Sequence, residues 1–388
     1  MNIPIIISGG GLIGNYISLR LRRSGIQSKI IERNDELYNS DSGIRTITLN
    51  PKSVELLQRE GIKIASSSIK NIYVYDADGT GKINFSSDDI GSKDLSAVVM
   101  FNELNSALKE QNIPNTLFKT KIETISYEAQ SEKTEINLSD SSIHKTDLLI
   151  ACDGKASNVA KIYGFKNTTH SYNQTAATFL VKADANATDA HQIFSEKGIF
   201  ALMPAPKDDN IFTVVWSLDN KFLDAESLDN FIHSNLGYFE KKLGCSISIQ
   251  SDILSFGLSS HYIDSYIKDS VVLLADSAHS IHPLAGQGVN LGFADADVFC
   301  NQIEEAFHKG FKINERTYLK KYSIEREALN LIMLKSMDLF VNIFKNDSPY
   351  FRLARNLGLN YVNKSKLAKI FFIGKASGSR QRVKLFRL

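Results

Sequence analysis

The N-terminal glycine motif places the strongest constraint on how this chain can fold. Gly9, Gly11 and Gly14 form a G-x-G-x-x-G motif between an apolar, β-forming run at residues 3–8 and a helical pattern that ends at Gly25. In a strand–turn–helix unit the first glycine permits the tight turn and the second admits a phosphate to the backbone. The third lets helix and strand pack closely. The motif therefore predicts a βαβ unit with a phosphate site at a helix N-terminus.

An acidic residue at the end of the second predicted strand limits which dinucleotide can bind. Glu32 follows the strand at residues 28–31 and lies 18 residues after Gly14. A carboxylate at this position is placed to accept hydrogen bonds from ribose hydroxyls and disfavours a 2′-phosphate. The sequence thus predicts a bound adenine dinucleotide, either FAD or NAD.

A later segment of the sequence favours FAD over NAD as the bound dinucleotide. Asp276 follows a buried-type strand at residues 270–274, and a glycine-rich loop then opens a long helix near Gly288. Asp276 is placed to accept a hydrogen bond from a ribityl hydroxyl. The backbone N–H groups of residues 288–290 are placed to stabilise negative charge at the N1/O2 edge of a reduced flavin. The residues of this flavin-edge loop are Pro283, Gly286, Gly288, Val289 and Asn290.

The alternation of patterns along the chain predicts an α/β protein with a Rossmann-type FAD-binding lobe, interrupted by a mainly β substrate lobe and followed by a helical C-terminal tail. Because the chain has 388 residues, more than one core is expected. The predicted FAD-binding parts are residues 1–70, 101–171 and 261–325, separated by a substrate-lobe excursion at 71–100 and a substrate domain at 172–260. Residues 326–388 form the predicted helical basic tail.

The order of these motifs resembles the single-component FAD-dependent aromatic hydroxylases similar to para-hydroxybenzoate hydroxylase. The glycine motif, Asp153-Gly154 after a buried-type strand, and the Asp276 segment occur in family order across essentially the whole chain. Residues 282–292 and 344–358 are similar to the branch that hydroxylates polyprenyl phenols and quinols in ubiquinone biosynthesis.

The resemblance implies a cofactor, an activity and further site residues. Reduced pyridine nucleotide (NADH or NADPH) would dock transiently and reduce FAD, and oxygen would form a C4a-hydroperoxide that attacks an electron-rich ring. Arg45 would lie near the flavin, and Asp153 and Gly154 where cofactor and pyridine-nucleotide contacts meet. A water-poor pocket is required; its apolar candidates are residues 200–203, 212–216 and 283–284.

The chain departs from the family pattern at three places. Ala275 stands where relatives carry glycine, which is expected to reduce FAD affinity. Asn102 stands at a helix start where relatives often carry arginine, and residues 192–194 lack the arginine that relatives tend to have. No substrate-activating base is assigned.

Histidine and cysteine residues give no independent site. His279 and His282 lack a third metal ligand or carboxylate partner nearby in sequence, so hydrogen-bonding roles are expected and no metal is predicted. The scattered cysteines indicate buried thiols in a reducing compartment.

Charge is distributed unevenly along the chain. Its net charge is +2, yet the 41 residues after Asp347 contain 10 of the 45 lysines and arginines and no acidic residue. Because these cations alternate with apolar residues, the tail is predicted to contact an anionic membrane surface or a biosynthetic complex. The alternative is a helix that packs on the FAD lobe and leaves its basic face in solvent. No nucleic-acid partner is expected, since the body is acidic and carries no recognition motif. The protein is expected to be cytoplasmic, on the inner face of the membrane, without a transmembrane helix.

Three alternatives stay open from the sequence alone. A hydroxylase of small aromatic acids would need a cation in the substrate lobe to hold a carboxylate. A flavoprotein oxidase or reductase would consume NADH without an oxygenated product. A non-catalytic FAD-holding scaffold subunit is kept open by Ala275.

Overall fold

A computed structural model describes residues 2–36, 43–77, 79–224, 226–282, 286–345 and 349–376. The helices in chain order are α1 (Leu12–Arg23), α2 (Pro51–Arg59), α3 (Phe101–Glu110), α4 (Asn158–Ile162), α5 (Leu228–Leu243), α6 (Gln287–His308), α7 (Arg316–Lys345), α8 (Pro349–Lys364) and α9 (Lys366–Ala376).

The strands alternate with these helices as the sequence pattern predicts. In chain order they are β1 (Asn2–Ser8), β2 (Ser28–Ile31), β3 (Thr46–Leu49), β4 (Ser67–Ile69), β5 (Asn71–Asp76), β6 (Lys82–Ser86), β7 (Ser96–Met100), β8 (Thr116–Leu117), β9 (Ile122–Glu128), β10 (Lys133–Leu138), β11 (Ile143–Ala151), β12 (Asn167–Ala183), β13 (Asp189–Ser195), β14 (Gly198–Pro204), β15 (Ile211–Asp219), β16 (Ile247–Ile249), β17 (Leu254–Ile263), β18 (Ile267–Lys268), β19 (Val271–Leu273) and β20 (His279–Ser280).

The first lobe is built on a largely parallel sheet in the order β18-β19-β11-β1-β2-β8, extended by the antiparallel strands β10 and β9. Strand β1 pairs in parallel with both β2 and β11. Its central residues Ile5, Ile6 and Ile7 are fully buried on both faces, as expected for a parallel sheet covered by helices. Helices α1 and α6 pack on this sheet through Tyr16 and Phe293, whose rings meet edge to face at 5.3 Å.

The second lobe is a mostly antiparallel sheet in the order β20-β17-β12-β15-β14-β13-β5-β6. One face packs under α5, where Phe200, Trp216 and Phe239 form a buried aromatic cluster. The other face packs against β3, β4, β7 and α7. The predicted α/β class with two lobes and C-terminal helices is therefore confirmed, while the segment boundaries given above stay a prediction.

Strand alternation corrects part of the predicted substrate pocket. Side chains of successive strand residues point to opposite faces of a sheet. Phe200, Phe212 and Trp216 belong to the buried cluster under α5 and do not line a cleft toward the first lobe. Their neighbours Ala201, Met203, Thr213 and Val215 lie on the opposite face. Residues 283–285, including Pro283, are outside the described residues.

Candidate functional site

The first glycine turn lies where β1 ends and α1 begins. Gly9 has φ +101°, and a Cβ built on it would lie 2.4 Å from the carbonyl oxygen of Cys152. A Cβ on Gly14 would lie 2.0 Å from the Gly9 carbonyl oxygen. A Cβ on Gly11 would meet nothing within 4 Å. Gly9 and Gly14 are therefore required by packing, whereas Gly11 leaves an open space beside the helix N-terminus, as a bound pyrophosphate needs.

Glu32 is held against this turn. Its Oε2 accepts a hydrogen bond of 2.7 Å from the Gly10 N–H, and its Oε1 accepts one of 2.8 Å from the Asn34 N–H. The carboxylate is thus oriented at the edge of the glycine turn, where the sequence predicts ribose recognition.

Hydrogen bonds connect the Asp153-Gly154 motif, which follows β11, to the turn that follows β19. The Asp153 carboxylate accepts hydrogen bonds from the backbone N–H groups of Asn158 and Val159 at the start of α4, at 2.8 and 3.1 Å. Its Oδ1 accepts a bond of 3.0 Å from the Ser277 hydroxyl, which itself accepts one of 3.2 Å from the Gly154 N–H. The Ser277 hydroxyl thus connects the end of β11 to the Asp276 turn.

Several charged side chains of the site lie near Asp276. It lies in a single 3-10 turn, Ala275–Ser277, directly after β19. Although the side chain is exposed at the cleft, the protein around the carboxyl desolvates it and raises its pKa, and the charges of His279, Arg45 and Lys155 oppose that shift. Arg45 itself lies over the Phe101 ring, with its guanidinium carbon 4.4 Å from the ring centroid. The structure thus brings Arg45 and Asp276 together at one cleft, although they are far apart in sequence.

Sequence reasoning missed Lys155 at this cleft. Its Nζ donates a hydrogen bond of 2.6 Å to the Ser259 carbonyl oxygen, and burial lowers its pKa while Asp276 raises it. The signal available was its place directly after Asp153-Gly154, but only the tertiary structure sets it beside Asp276.

A buried polar network supports the Asp276 turn from behind. Asp295 is fully buried, and its Oδ2 contacts His279 Nε2 at 2.6 Å and accepts the Ala275 N–H at 3.2 Å. Its Oδ1 accepts hydrogen bonds from Arg326 at 2.6 Å and Asn330 at 3.0 Å. Burial raises the pKa of Asp295, but the opposing charges of Arg326 and His279 hold it below its usual value. His279 therefore has a structural partner, and His282 has a different one, Gln174, at 3.2 Å.

The flavin-edge loop ends at the N-terminus of α6, where there is open space beside Gly288. Gly286 has φ +61° and precedes α6. A Cβ on Gly288 would meet nothing within 4 Å. The Asn290 side chain is used internally, because its Oδ1 accepts bonds from the Asn50 N–H and the Ser53 hydroxyl, both at 2.8 Å. Its Nδ2 donates to the Thr48 and Gly286 carbonyl oxygens, so that the Asn290 side chain is engaged within the protein. The neighbouring Val289 packs partly against the core of the first lobe.

The cleft between the lobes is floored by the second sheet. Thr48 lies against Gly286 and donates its hydroxyl to the Met203 sulfur at 3.5 Å, which joins the flavin-edge turn to the sheet. On the far side, Phe194 and Ile199 pack with Met337 and Val341 of α7. Between these contacts lies a row of cross-strand neighbours, Gln192, Ala201, Val215 and Thr178. The first three are only partly buried, and Thr178 is buried.

Comparisons with known proteins identify the family. The profile of the FAD binding domain family matches residues 2–334. The chain belongs to this family. The resemblance inferred from the motifs is therefore confirmed, and FAD is the cofactor of this protein. NADH or NADPH as the reductant is typical of the family.

Named relatives align with this chain along almost its full length. It is 26% identical to the mitochondrial ubiquinone biosynthesis monooxygenase COQ6 of Caenorhabditis elegans, with 97% of this chain and 96% of that protein covered. It is also 26% identical to the 3-demethoxyubiquinol 3-hydroxylase of Escherichia coli (strain K12), with 94% and 96% covered. The p-nitrophenol 4-monooxygenase PnpA of Pseudomonas putida DLL-E4 has the same fold, with a TM-score of 0.79 at 15% identity over 98% of this chain and 99% of that chain.

Proposed function

We propose that this protein is an FAD-dependent monooxygenase that hydroxylates the aromatic ring of a polyprenyl phenol or quinol in ubiquinone biosynthesis. The relatives whose names state this chemistry match almost the whole chain. When bound, FAD supplies the redox chemistry that activates oxygen for transfer to a ring.

The residues of the glycine turn and the cleft fit this cofactor. Gly11 leaves room for the pyrophosphate, and Glu32 is oriented for the ribose. Asp276 lies within electrostatic reach of Arg45, and α6 begins next to Gly288 with its N-terminal backbone N–H groups. These N–H groups favour negative charge on the cofactor beside them.

The observation that carries the choice of substrate is that the described rows of side chains on the floor of the cleft contain no cation. Among the described residues of the three rows that face the first lobe, none is a lysine, an arginine or a histidine. These rows are Ile72, Ala190, Met203, Thr213 and Leu180; Val74, Gln192, Ala201, Val215 and Thr178; and Asp76, Phe194, Ile199, Ser217 and Ala176. A carboxylate taken into this floor would leave an unpaired buried charge. A neutral phenol is therefore favoured over a small aromatic acid.

Apolar side chains on both sides of the cleft would keep water from the reacting ring. Val215 and Ala201 lie in the floor, and Met337 and Val341 of α7 pack beside it. Such exclusion favours oxygen transfer over wasteful release of hydrogen peroxide.

We also propose that the protein acts as a peripheral protein at the cytoplasmic face of an anionic membrane, since a polyprenyl phenol resides in the bilayer. Leu357, Tyr361 and Leu367 on α8 and α9 are 62%, 71% and 70% exposed, beside the exposed Lys364 and Lys366. Apolar residues flanked by cations suit a lipid surface. Among the described residues no helix has the length and apolar character needed to cross a bilayer.

Turnover of a prenylated phenol tests the proposed reaction. With NADH or NADPH, oxygen and a geranylated phenol, we expect a product that carries one additional oxygen atom by mass spectrometry. Consumption of the reductant with equivalent hydrogen peroxide and no oxygenated product would instead assign an oxidase. Absence of any flavin-dependent turnover would favour the scaffold alternative.

Substitution of Gly11 tests the cofactor placement. Gly11→Val should fold, because a Cβ at this position meets no atom within 4 Å, but should purify colourless, because the branched side chain fills the pyrophosphate space. Gly257→Val in β17 is the matched control, since a Cβ there also meets nothing within 4 Å, and it should remain yellow. A yellow Gly11→Val protein contradicts the placement.

A further inference from the structure

The cleft floor contains a hydroxyl group that has no partner among the residues that the structure describes. Thr213 lies in β15 between Met203 of β14 and Leu180 of β12, and it is 0% exposed. Within the described part of the chain, its Oγ1 has no hydrogen-bond partner. A buried hydroxyl without a partner destabilises a protein, so that valine, which has the same shape, would be the more stable residue here. Its place on the cleft-facing side of the sheet suggests that a ligand satisfies it.

Other polar side chains surround the same point. Ser217 follows Thr213 on the same face of β15, and Thr178 lies opposite Val215 on β12. Both are at most 5% exposed, and the structure shows no hydrogen bond from either side chain to another described residue. Neighbouring strands lie about 4.8 Å apart, and alternate residues of a strand about 7 Å apart. A ring centred over Val215 would thus have Thr178 on the neighbouring strand, and Thr213 and Ser217 each about 7 Å away along β15, within reach of the ring's substituents.

Met203 lies beside Thr213 on the same face of the sheet. It is the cross-strand neighbour of Thr213, is only partly buried, and contacts Thr48 through its sulfur. An unbranched thioether changes rotamer at small cost. A ring that enters over Val215 can thus turn Met203 aside and reach Thr213.

We infer that Thr213, with Thr178 and Ser217, is a specificity-determining site that binds the neutral oxygen substituents of the substrate ring. Hydroxyl groups both donate and accept hydrogen bonds, so that they match phenol hydroxyl and methoxy groups. The three described rows of the floor offer no cation for a carboxylate. The inference rests on the proposed function and names the part of the substrate that this surface recognises.

A pair of isosteric substitutions tests this role. Thr213→Val removes the hydroxyl in the cleft. Thr134→Val is the matched control, because Thr134 in β10 of the first lobe is also 0% exposed and its Oγ1 also lacks a partner among the described residues. Without substrate, both variants should melt about 2 °C above the wild type, since each loses an unsatisfied hydroxyl.

The kinetics should separate the two variants. Thr213→Val should raise KM for a geranylated phenol roughly three- to tenfold, and Thr134→Val should leave it unchanged. Thr213→Ser keeps the hydroxyl and should keep KM near the wild-type value. Equal KM for wild type and Thr213→Val overturns the inference and leaves the hydroxylase proposal intact. Failure of the wild type to hydroxylate the phenol refutes the proposed function, and the inference with it.

Discussion

At the residue scale, Ala275 carries backbone strain where the cofactor site is built. Its φ is +52°, in the left-handed region that favours glycine. The strain persists because the Ala275 N–H is held by the buried Asp295 carboxylate, and because Gly292 on α6 leaves room for the alanine methyl. An alanine in this conformation costs about 1–2 kcal/mol. The departure from the family glycine is therefore tolerated by the surrounding packing.

Replacing Ala275 with glycine should relieve this strain. We expect Ala275→Gly to raise the free energy of unfolding by about 1 kcal/mol, less than the full strain because glycine also favours the unfolded chain. It should also lower the FAD dissociation constant, since the methyl beside the Asp276 turn is removed. Chemical denaturation and flavin titration measure the two effects.

The neighbouring Ala278 provides the control for this substitution. It has φ −101° and is fully buried, so that Ala278→Gly should lose stability. A loss of stability in both variants would mean that the left-handed conformation of Ala275 is not strained.

At the element scale, α8 covers the open edge of the second sheet with side-chain amides. Strand β6 ends that sheet, and unpaired edge strands invite association with other chains. The side-chain oxygens of Asn356, Asn360 and Asn363 accept hydrogen bonds from the backbone N–H groups of Gly81, Lys82 and Asn84. A Cβ on Gly81 would lie 2.5 Å from Asn356 Oδ1, so glycine is required for this close approach.

Removing one of these amides should open the edge locally. In Asn363→Ala the Asn84 N–H loses its 3.0 Å bond, and we expect hydrogen exchange of the β6 amides to become about fivefold faster, for a bond of about 1 kcal/mol. Tyr361→Ala, at a 71% exposed position of the same helix, should leave β6 exchange unchanged. Equal exchange in both variants would show that α8 does not protect the edge.

At the scale of the whole molecule, charge separates the body from the tail. The first 347 residues have a net charge of −8, whereas no acidic residue follows Asp347. A negative surface therefore repels the body and attracts the tail, which would orient the protein on an anionic bilayer.

Binding to anionic liposomes tests this orientation without truncation, because removing α8 would also expose the edge of β6. Lys364→Gln combined with Lys366→Gln should weaken binding at low salt by roughly tenfold or more, at about 1 kcal/mol per lysine near the surface. High salt should weaken binding of the wild type as well.

The matched control removes two exposed lysines from the first lobe, Lys161 and Lys166, by substitution with glutamine. With all proteins loaded with flavin, this control should bind liposomes as the wild type does. Equal binding by both double variants would contradict a tail-directed contact.

The sequence by itself determined the parts of the site that depend on local chain geometry. The glycine motif, Glu32 at a strand end and the turn before α6 are each read within a strand–turn–helix segment, where glycine spacing and strand length leave little freedom. The α/β class and the family could be predicted for the same reason.

Only the tertiary structure decided which distant groups share the site. Sequence patterns did not predict Lys155 beside Asp276, the Ser277 hydroxyl bond to Asp153, or the amides of α8 on β6, because each joins segments far apart along the chain. The sequence predicted the pocket-lining residues only as whole segments. Which residues of a strand face the cleft depends on which face of the sheet α5 packs against, and the sequence does not show that. Packing thus buried Trp216 and left Thr213, three residues earlier, with an unsatisfied hydroxyl on the face toward the cofactor lobe.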